Sequence, residues 1–207
     1  MLLPIVVSVA AGLIAASGAG DRPSILPTLH VVVVATPAVN RVFISETLTE
    51  AADIWRTAGV TIVWSVPGDP GVVPPDLTVT LDDRLRPSPD GTATLGWITF
   101  AGPGLPIPHI HLSRGNALDL MTRTSSVRDI PTLWQEYLLS RALGRALAHE
   151  LGHYLLKSQA HEAIGLMRAA RPSSDFFSPS RAGFELTADS RERLARGLPC
   201  ADFELMR

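Results

Sequence analysis

In the first half of the chain, apolar segments typical of strands flank one segment with helical spacing, as in many α/β domains. Residues 29–35 form a continuous, largely β-branched apolar run, which predicts a central strand buried on both faces. Residues 46–58 carry apolar positions at helical spacing and stop before Gly59, a residue favoured just past a helix end. Residues 60–66 and 77–81 then predict two further strands.

Two more apolar segments follow in the middle of the chain, over residues 94–100 and 108–112. Both predict strands, and the Gly/Pro-rich segment 101–108 predicts a loop between them. His109 and His111 alternate in the second strand, so their side chains share one face. We expect a hydrogen-bonded or solvent-facing pair here rather than a structural zinc site, because no cluster of Asp and His surrounds them.

A long helix is predicted over residues 131–157. Pro131 suits a first helical turn, and Thr132 with Gln135 fits a capping box. Apolar positions then recur every four residues, which predicts a stripe that faces the core and consists of Leu139, Leu143, Leu147 and Leu151. Any polar side chain beside this stripe therefore borders the core.

The end of this helix carries the sequence His149-Glu150-Leu-Gly-His153. Histidines four apart on a helix are about 40° apart around the axis and roughly 6 Å apart along it, so both imidazoles can reach one ion. Zn²⁺ suits such donors, and the carboxylate of Glu150 is placed to take the proton of a water in the remaining position. The pentapeptide arises by chance in a chain of this length about one time in a hundred. The motif therefore predicts a hydrolytic zinc site.

His161 is the expected third ligand. If the helix continued to it, His161 would lie about 12 Å further along the axis than His153, too far to share an ion. The chain must turn back, although residues 155–160 contain no glycine or proline. Three histidines then leave one position for water.

The motif resembles the metzincin clan of zinc metallopeptidases. His149, Glu150 and His153 match the start of the clan's pattern His-Glu-x-x-His-x-x-Gly-x-x-His, and Gly-Leu-Met at residues 165–167 is similar to its methionine turn, in the matrixin-like order. The resemblance implies that His149, His153 and His161 hold Zn²⁺ while Glu150 acts as the general base of a peptidase.

Two departures from the clan's pattern stand out. Leu156 replaces the turn glycine, and His161 comes two residues later than the usual third histidine, which requires a longer loop. The resemblance implies an α+β domain with a twisted mixed sheet of about five strands, an active-site helix and a C-terminal helix. It also implies that an edge strand, expected at residues 95–100, pairs with an extended peptide substrate.

A second ligand assignment stays open. Glu185 and Asp189 are four residues apart and resemble the second-helix pattern of gluzincins, in which the glutamate binds zinc and the aspartate orients a histidine. The ordinary interpretation is a short helix that begins near Thr187 or Ser190, with acidic residues in its first turn.

Length, composition and charge limit the possible number of domains, the class of binding partner and the disulfide content. The chain has 207 residues with 46% hydrophobic, enough for one domain with a real core. The formal net charge is -2 and the sequence shows no basic patch, so nucleic-acid binding is disfavoured. The resemblance to zinc metallopeptidases implies a peptide or protein substrate. The only cysteine is Cys200, so no internal disulfide forms and the thiol is expected to be inert.

The N-terminus predicts export. Residues 1–16 are almost continuously apolar and Ser-Gly-Ala at 17–19 offers a cleavage site, which is typical of a secretory signal peptide over residues 1–20, although no Lys or Arg precedes the apolar run. The run is shorter than a stable membrane span requires. We therefore expect a secreted or periplasmic protein whose catalytic domain is residues 21–207.

Two other classes of function remain as alternatives to a peptidase. One is a zinc-stabilised binding domain without catalysis, in which the metal supports folding. The other is a metal-free α/β domain in which the histidines are packing residues. A measurement of bound zinc distinguishes the metal-free domain from the zinc-stabilised domain. Peptide turnover then distinguishes the zinc-stabilised binding domain from an enzyme.

Overall fold

The computed structural model describes residues 28–67, 74–86, 94–127 and 129–197. The signal peptide predicted over residues 1–20 and Cys200 lie outside them. Within the described residues the elements are, in order, β1 (Thr28–Ala35), α1 (Arg41–Arg56), β2 (Thr61–Ser65), β3 (Leu77–Asp82), β4 (Gly96–Gly102), β5 (Leu105–Ser113), α2 (Arg114–Arg123), α3 (Thr132–Leu155), α4 (Ser173–Phe177) and α5 (Ala188–Ala195).

The strands of the described region form one five-stranded mixed sheet in the order β2-β1-β3-β5-β4. β2, β1, β3 and β5 run parallel, and β4 is added antiparallel to β5 at the edge. The mixed sheet, the long helix that carries the histidine motif and the short C-terminal helix confirm the expected architecture. The edge position of β4 confirms the expectation for residues 95–100.

One face of the sheet packs against the helices. In β1, Leu29, Val31 and Val33 are at most 4% exposed, whereas Val34 on the opposite face is 41% exposed. The prediction of a strand buried on both faces is therefore wrong. A run of valines indicates a strand correctly, but β-branched residues also suit a half-covered face, so the run does not report how many faces are packed.

Helix α3 runs through the core. The predicted leucine stripe is confirmed, since none of its four members is more than 1% exposed. The predicted capping box is wrong. Pro131 is the N-cap, its carbonyl accepts from the N–H groups of Trp134 and Gln135, and the Gln135 side chain donates to the Ile130 carbonyl instead.

Within the described part of the chain, none of the helices combines the length and the apolar character that a membrane span requires.

Local capping and turn chemistry explain the other differences from the predicted elements. α1 begins at Arg41, several residues early, because the Asn40 side chain accepts from the Phe43 N–H at 2.8 Å and caps the helix there. The predicted loop over 101–108 is wrong over most of its length, because β4 and β5 extend into it and leave a two-residue hairpin turn at residues 103–104, where Gly104 adopts a φ of 67°. α2 and α4 were not predicted.

Candidate metal centre

Three imidazoles converge at the C-terminal end of α3. The Nε2 atoms of His149 and His153 are 3.1 Å apart, and the His161 ring stacks on His149 with centroids 5.3 Å apart and meets His153 edge-on at 4.9 Å. One ring nitrogen from each histidine lies within 4.8 Å of the others. In the described part of the chain, these three residues form the group that could hold a metal ion.

The hydrogen bonds of two of these rings point to a cation between them. His149 Nδ1 lies 2.8 Å from the Leu166 carbonyl and His153 Nδ1 lies 2.7 Å from the Ser158 carbonyl. A carbonyl only accepts, so each Nδ1 carries the proton and each Nε2 carries a lone pair. When both rings are neutral, two lone pairs face each other at 3.1 Å and repel, and a cation bound by both nitrogens would remove this repulsion.

The spacing fits the expected metal. Two nitrogens bound tetrahedrally to one Zn²⁺ at about 2.0–2.1 Å lie roughly 3.3–3.4 Å apart, close to the separation found here. Burial lowers the pKa of His149 to about 4 and also lowers the pKa of His153, so both rings stay neutral as ligands must. The donor set therefore fits a zinc ion.

The turn that brings His161 back is a Schellman motif at the end of α3. The Ser158 N–H donates to the His153 carbonyl at 3.2 Å and the Lys157 N–H donates to the Tyr154 carbonyl at 3.3 Å. Lys157 has a φ of 48°, in the left-handed region that usually selects glycine. Leu156, at the place of the clan's glycine, is still right-handed, so the turn comes one residue later.

Two contacts hold the segment after this turn. The Glu162 N–H donates to the Met167 carbonyl at 2.8 Å, next to His161 in sequence. The Glu162 carboxylate accepts from the Ser190 hydroxyl at 2.5 Å, and Ser190 is fully buried at the start of α5. The third imidazole is thus positioned by the methionine segment and by the C-terminal helix.

The Gly-Leu-Met segment lies directly beneath the histidine pair. Gly165 has a φ of 75°, the Leu166 N–H donates to the Glu185 carbonyl at 2.7 Å, and the Leu166 carbonyl is the partner of His149. Met167 is 2% exposed and packs against Gly152, where a Cβ would overlap the methionine sulfur. Met167 therefore supports the helix between the two histidines.

Glu150 projects from α3 toward the edge strand. It is 8% exposed, and burial raises its pKa to about 8 against the opposing effect of a hydrogen bond with the backbone of Ile98 in β4. Gly96 makes room for it, because a Cβ there would lie 3.2 Å from Glu150 Cγ and 2.9 Å from Leu112 Cδ2. A carboxyl group beside the converging histidines can hold and pass on a proton.

The other ligand candidates do not join this group in the described residues. Glu185 and Asp189 are both exposed, and Glu185 contributes its backbone carbonyl to the methionine segment. Thr187 caps α5 by accepting from the Ser190 N–H at 3.2 Å, which confirms the short-helix interpretation.

The expectation for His109 and His111 is confirmed as well. Their rings stack at 4.2 Å, and His109 Nε2 lies 2.8 Å from the Thr80 hydroxyl. Trp97 stacks on the other side of His111 at 5.0 Å.

Sequence reasoning missed a buried arginine one helical turn before His149. Arg145 is fully buried; its guanidinium contacts Glu50 of α1 at 3.0 Å and donates to the carbonyls of Asp175, Phe176 and Ser180. Arg181 reaches the other Glu50 oxygen at 2.8 Å. The available signal was a charged residue within the otherwise apolar segment 142–148, since a charge that is surrounded by apolar positions needs a buried partner.

A cleft runs across the histidine centre. It is lined by residues 94–100, by α3 residues that include Glu150 and the histidine pair, by His161, and by residues 168–171 with Phe176 and Phe184. Residues of the edge strand β4 therefore lie in the same cleft as the histidines and Glu150.

No protein-family model matches the chain, and no curated protein matches it. Among solved structures, the chain is similar to archaemetzincin from Methanopyrus kandleri, known from a crystal structure at 1.5 Å resolution. The two are 12% identical, the match covers 86% of this chain and 98% of that chain, and the TM-score is 0.49. A likeness at this level identifies no activity for this chain, so its chemistry has to be inferred from the residues themselves.

Proposed function

We propose that this protein is a zinc-dependent endopeptidase in which His149, His153 and His161 bind the metal and Glu150 carries the proton. The observation that supports this most strongly is the pair of Nε2 lone pairs 3.1 Å apart, with a third imidazole completing the group. This arrangement is unfavourable without a cation and matches the nitrogen spacing around zinc. A buried carboxyl group next to the first histidine adds what hydrolysis needs.

A zinc ion held by these residues would supply Lewis acidity toward a water molecule and toward the scissile carbonyl. The protein's own groups orient the histidine rings and transfer the proton. The carbonyls of Leu166 and Ser158 orient the His149 and His153 rings. Glu150 accepts a proton from the attacking water and returns it to the leaving amine nitrogen, a task for which a carboxyl pKa near neutrality is suited.

The edge strand supports a peptide as the substrate. β4 is the outermost strand of the sheet and lines the cleft, so its free backbone groups can pair with an extended peptide. Such pairing would fix the distance between the scissile bond and α3. We therefore propose cleavage within extended segments of a peptide or protein.

Zinc stoichiometry and turnover on a peptide library test the proposal together. We expect about one zinc per chain in the parent and in Glu150→Gln, with cleavage lost only in Glu150→Gln. His161→Ala should lose zinc affinity, whereas the matched control Glu185→Ala should keep it. The reverse result for this last pair would replace the proposed ligand set with the gluzincin-like one.

Two other outcomes would favour the alternatives. Zinc that raises the melting temperature of a protein without turnover on any library member would indicate a zinc-stabilised binding domain. A purified protein that neither binds zinc nor gains stability from it would contradict the metal site itself.

We also propose that residues 1–20 direct export and that residues 21–207 are the catalytic domain. The support is the apolar run with its small-residue cleavage site. N-terminal sequencing of protein expressed from the full-length gene checks this, because an N-terminus close to Asp21 is expected in the exported fraction.

A further inference from the structure

The cleft is strongly cationic although the chain is not. Among the residues that the structure describes, Glu150 is the single carboxylate that lines the cleft, together with four arginines: Arg123, Arg145, Arg168 and Arg171. The whole chain, in contrast, carries 18 Lys and Arg against 20 Asp and Glu. Positive charge is therefore concentrated where a substrate would bind.

Two of these arginines are already paired with carboxylates. Arg145 is buried against Glu50, and Arg123 forms an ion pair with Asp119 one turn earlier in α2. Their charges are largely compensated within the protein. They contribute little to the attraction of a ligand.

Arg171 and Arg168 differ from them. The Arg171 guanidinium donates to the carbonyls of Gly165 and Gly183 and lies 4.1 Å from the centre of the Phe184 ring. Arg168 is exposed at the cleft wall. Within the described residues neither arginine forms an ion pair with a carboxylate.

Arg171 interacts electrostatically with Arg168 and with His149. Burial and the nearby Arg168 lower its pKa, against the opposing influence of Asp175. The charge of Arg171 is in turn one of the smaller causes that lower the pKa of His149. The two arginines are thus close to each other and to the histidine centre.

Assuming that the proposed peptidase activity holds, we propose that this cleft selects peptides carrying an acidic side chain that is seated against Arg168 and Arg171. A carboxylate there would compensate two charges that the protein leaves unpaired, and the Arg171 fork is held in place by its carbonyl partners and by Phe184. Arg168 and Arg171 are three residues apart and both line the cleft, so the preference should apply at one or two neighbouring positions of the peptide.

The test scans one glutamate along a neutral peptide and compares each peptide with its glutamine counterpart. We expect kcat/KM to favour glutamate by about tenfold at one or two neighbouring positions of the peptide, the size of two partly exposed ion pairs. The preference should shrink as salt is raised to about 1 M, where exposed charges are screened.

Arg168→Glu is the informative variant, because Arg171 also holds the methionine segment. This change should reverse the preference, so that the glutamine peptide is cleaved faster than the glutamate peptide. Arg41→Glu is the matched control, since Arg41 is exposed at the start of α1 and does not line the cleft, and it should keep the parent's preference.

Binding of the same peptides to the Glu150→Gln variant keeps this inference separate from the proposed activity. Fluorescence anisotropy should show tighter binding of the glutamate peptide by about tenfold, lost with Arg168→Glu. A protein that binds with this preference but cleaves nothing would contradict the peptidase proposal alone. Equal binding of both peptides, or a preference unchanged by Arg168→Glu, would overturn the charge selection alone.

Discussion

Replacing Gly152 by alanine places a methyl group where the Met167 sulfur lies. In an exposed helix interior this substitution stabilises a protein by about 1 kcal/mol, because alanine is the better helix former. Here Met167 is 2% exposed and has no free space to move into without disturbing its neighbours. Overpacking costs about 1–3 kcal/mol, and the overlap with the sulfur is severe enough to place the cost at about 2–3 kcal/mol. After the helix-propensity gain of about 1 kcal/mol is subtracted, we expect a net loss of stability of about 1–2 kcal/mol.

The loss should appear as a melting temperature lower by about 2–8 °C for a domain of this size. It should also weaken zinc binding, because the Leu166 carbonyl that orients His149 precedes Met167 in the chain. Thermal unfolding with and without zinc, together with competition against a chromophoric chelator, measures both effects.

A double-mutant cycle identifies the cause. Met167→Ala alone should destabilise by about 2–5 kcal/mol, since it leaves a cavity under α3. In that background Gly152→Ala has space for its methyl group, so it should become neutral or stabilising. A higher melting temperature for Gly152→Ala in the parent protein would refute the contact between Met167 and the helix.

Three further predictions follow from single residues. Lys157→Gly should stabilise the protein by about 0.5–1 kcal/mol in chemical unfolding, because glycine adopts the left-handed turn without strain. Arg145→Met should destabilise by about 3–5 kcal/mol, whereas the exposed control Arg196→Met should change the free energy of unfolding by at most about 0.5 kcal/mol. Gly96→Ala should lower the proposed peptidase activity far more than Gly102→Ala in the same strand, because only the first displaces the Glu150 carboxyl group. Equal rates for the two variants would contradict that placement.

The sheet and the long helix were predictable because their hydrophobic periodicity is strong. The hairpin between β4 and β5 was not, since Pro106 and Pro108 argue against a strand. The structure tolerates Pro106 where the register with β4 shifts around Phe100, so a missing N–H breaks no regular ladder. α2 was missed because only Asn116, Ala117 and Met121 are buried along it, too few for a periodic signal.

The first two proposed ligands and the third differ in how far local sequence determines their positions. His149 and His153 meet because any α-helix brings residues four apart together, so spacing alone was sufficient. The buried Arg145 depends on the packing of α1, which supplies its partner Glu50 from far away in sequence, and the raised pKa of Glu150 depends on its burial beside β4. Helical periodicity predicts a face, but it does not predict what packs on that face.

The position of His161 depends on a turn that the sequence does not favour. An L-residue in the left-handed region costs about 1–2 kcal/mol, and Lys157 bears that cost. The offsetting contacts come from distant segments, namely the Met167 carbonyl and the Ser190 hydroxyl that hold Glu162. A zinc ion held by His153 and His161 would add to these contacts, because it would join both ends of the loop. Removal of zinc should therefore loosen residues 156–162 before α3, and the measurement is faster amide hydrogen exchange confined to that loop.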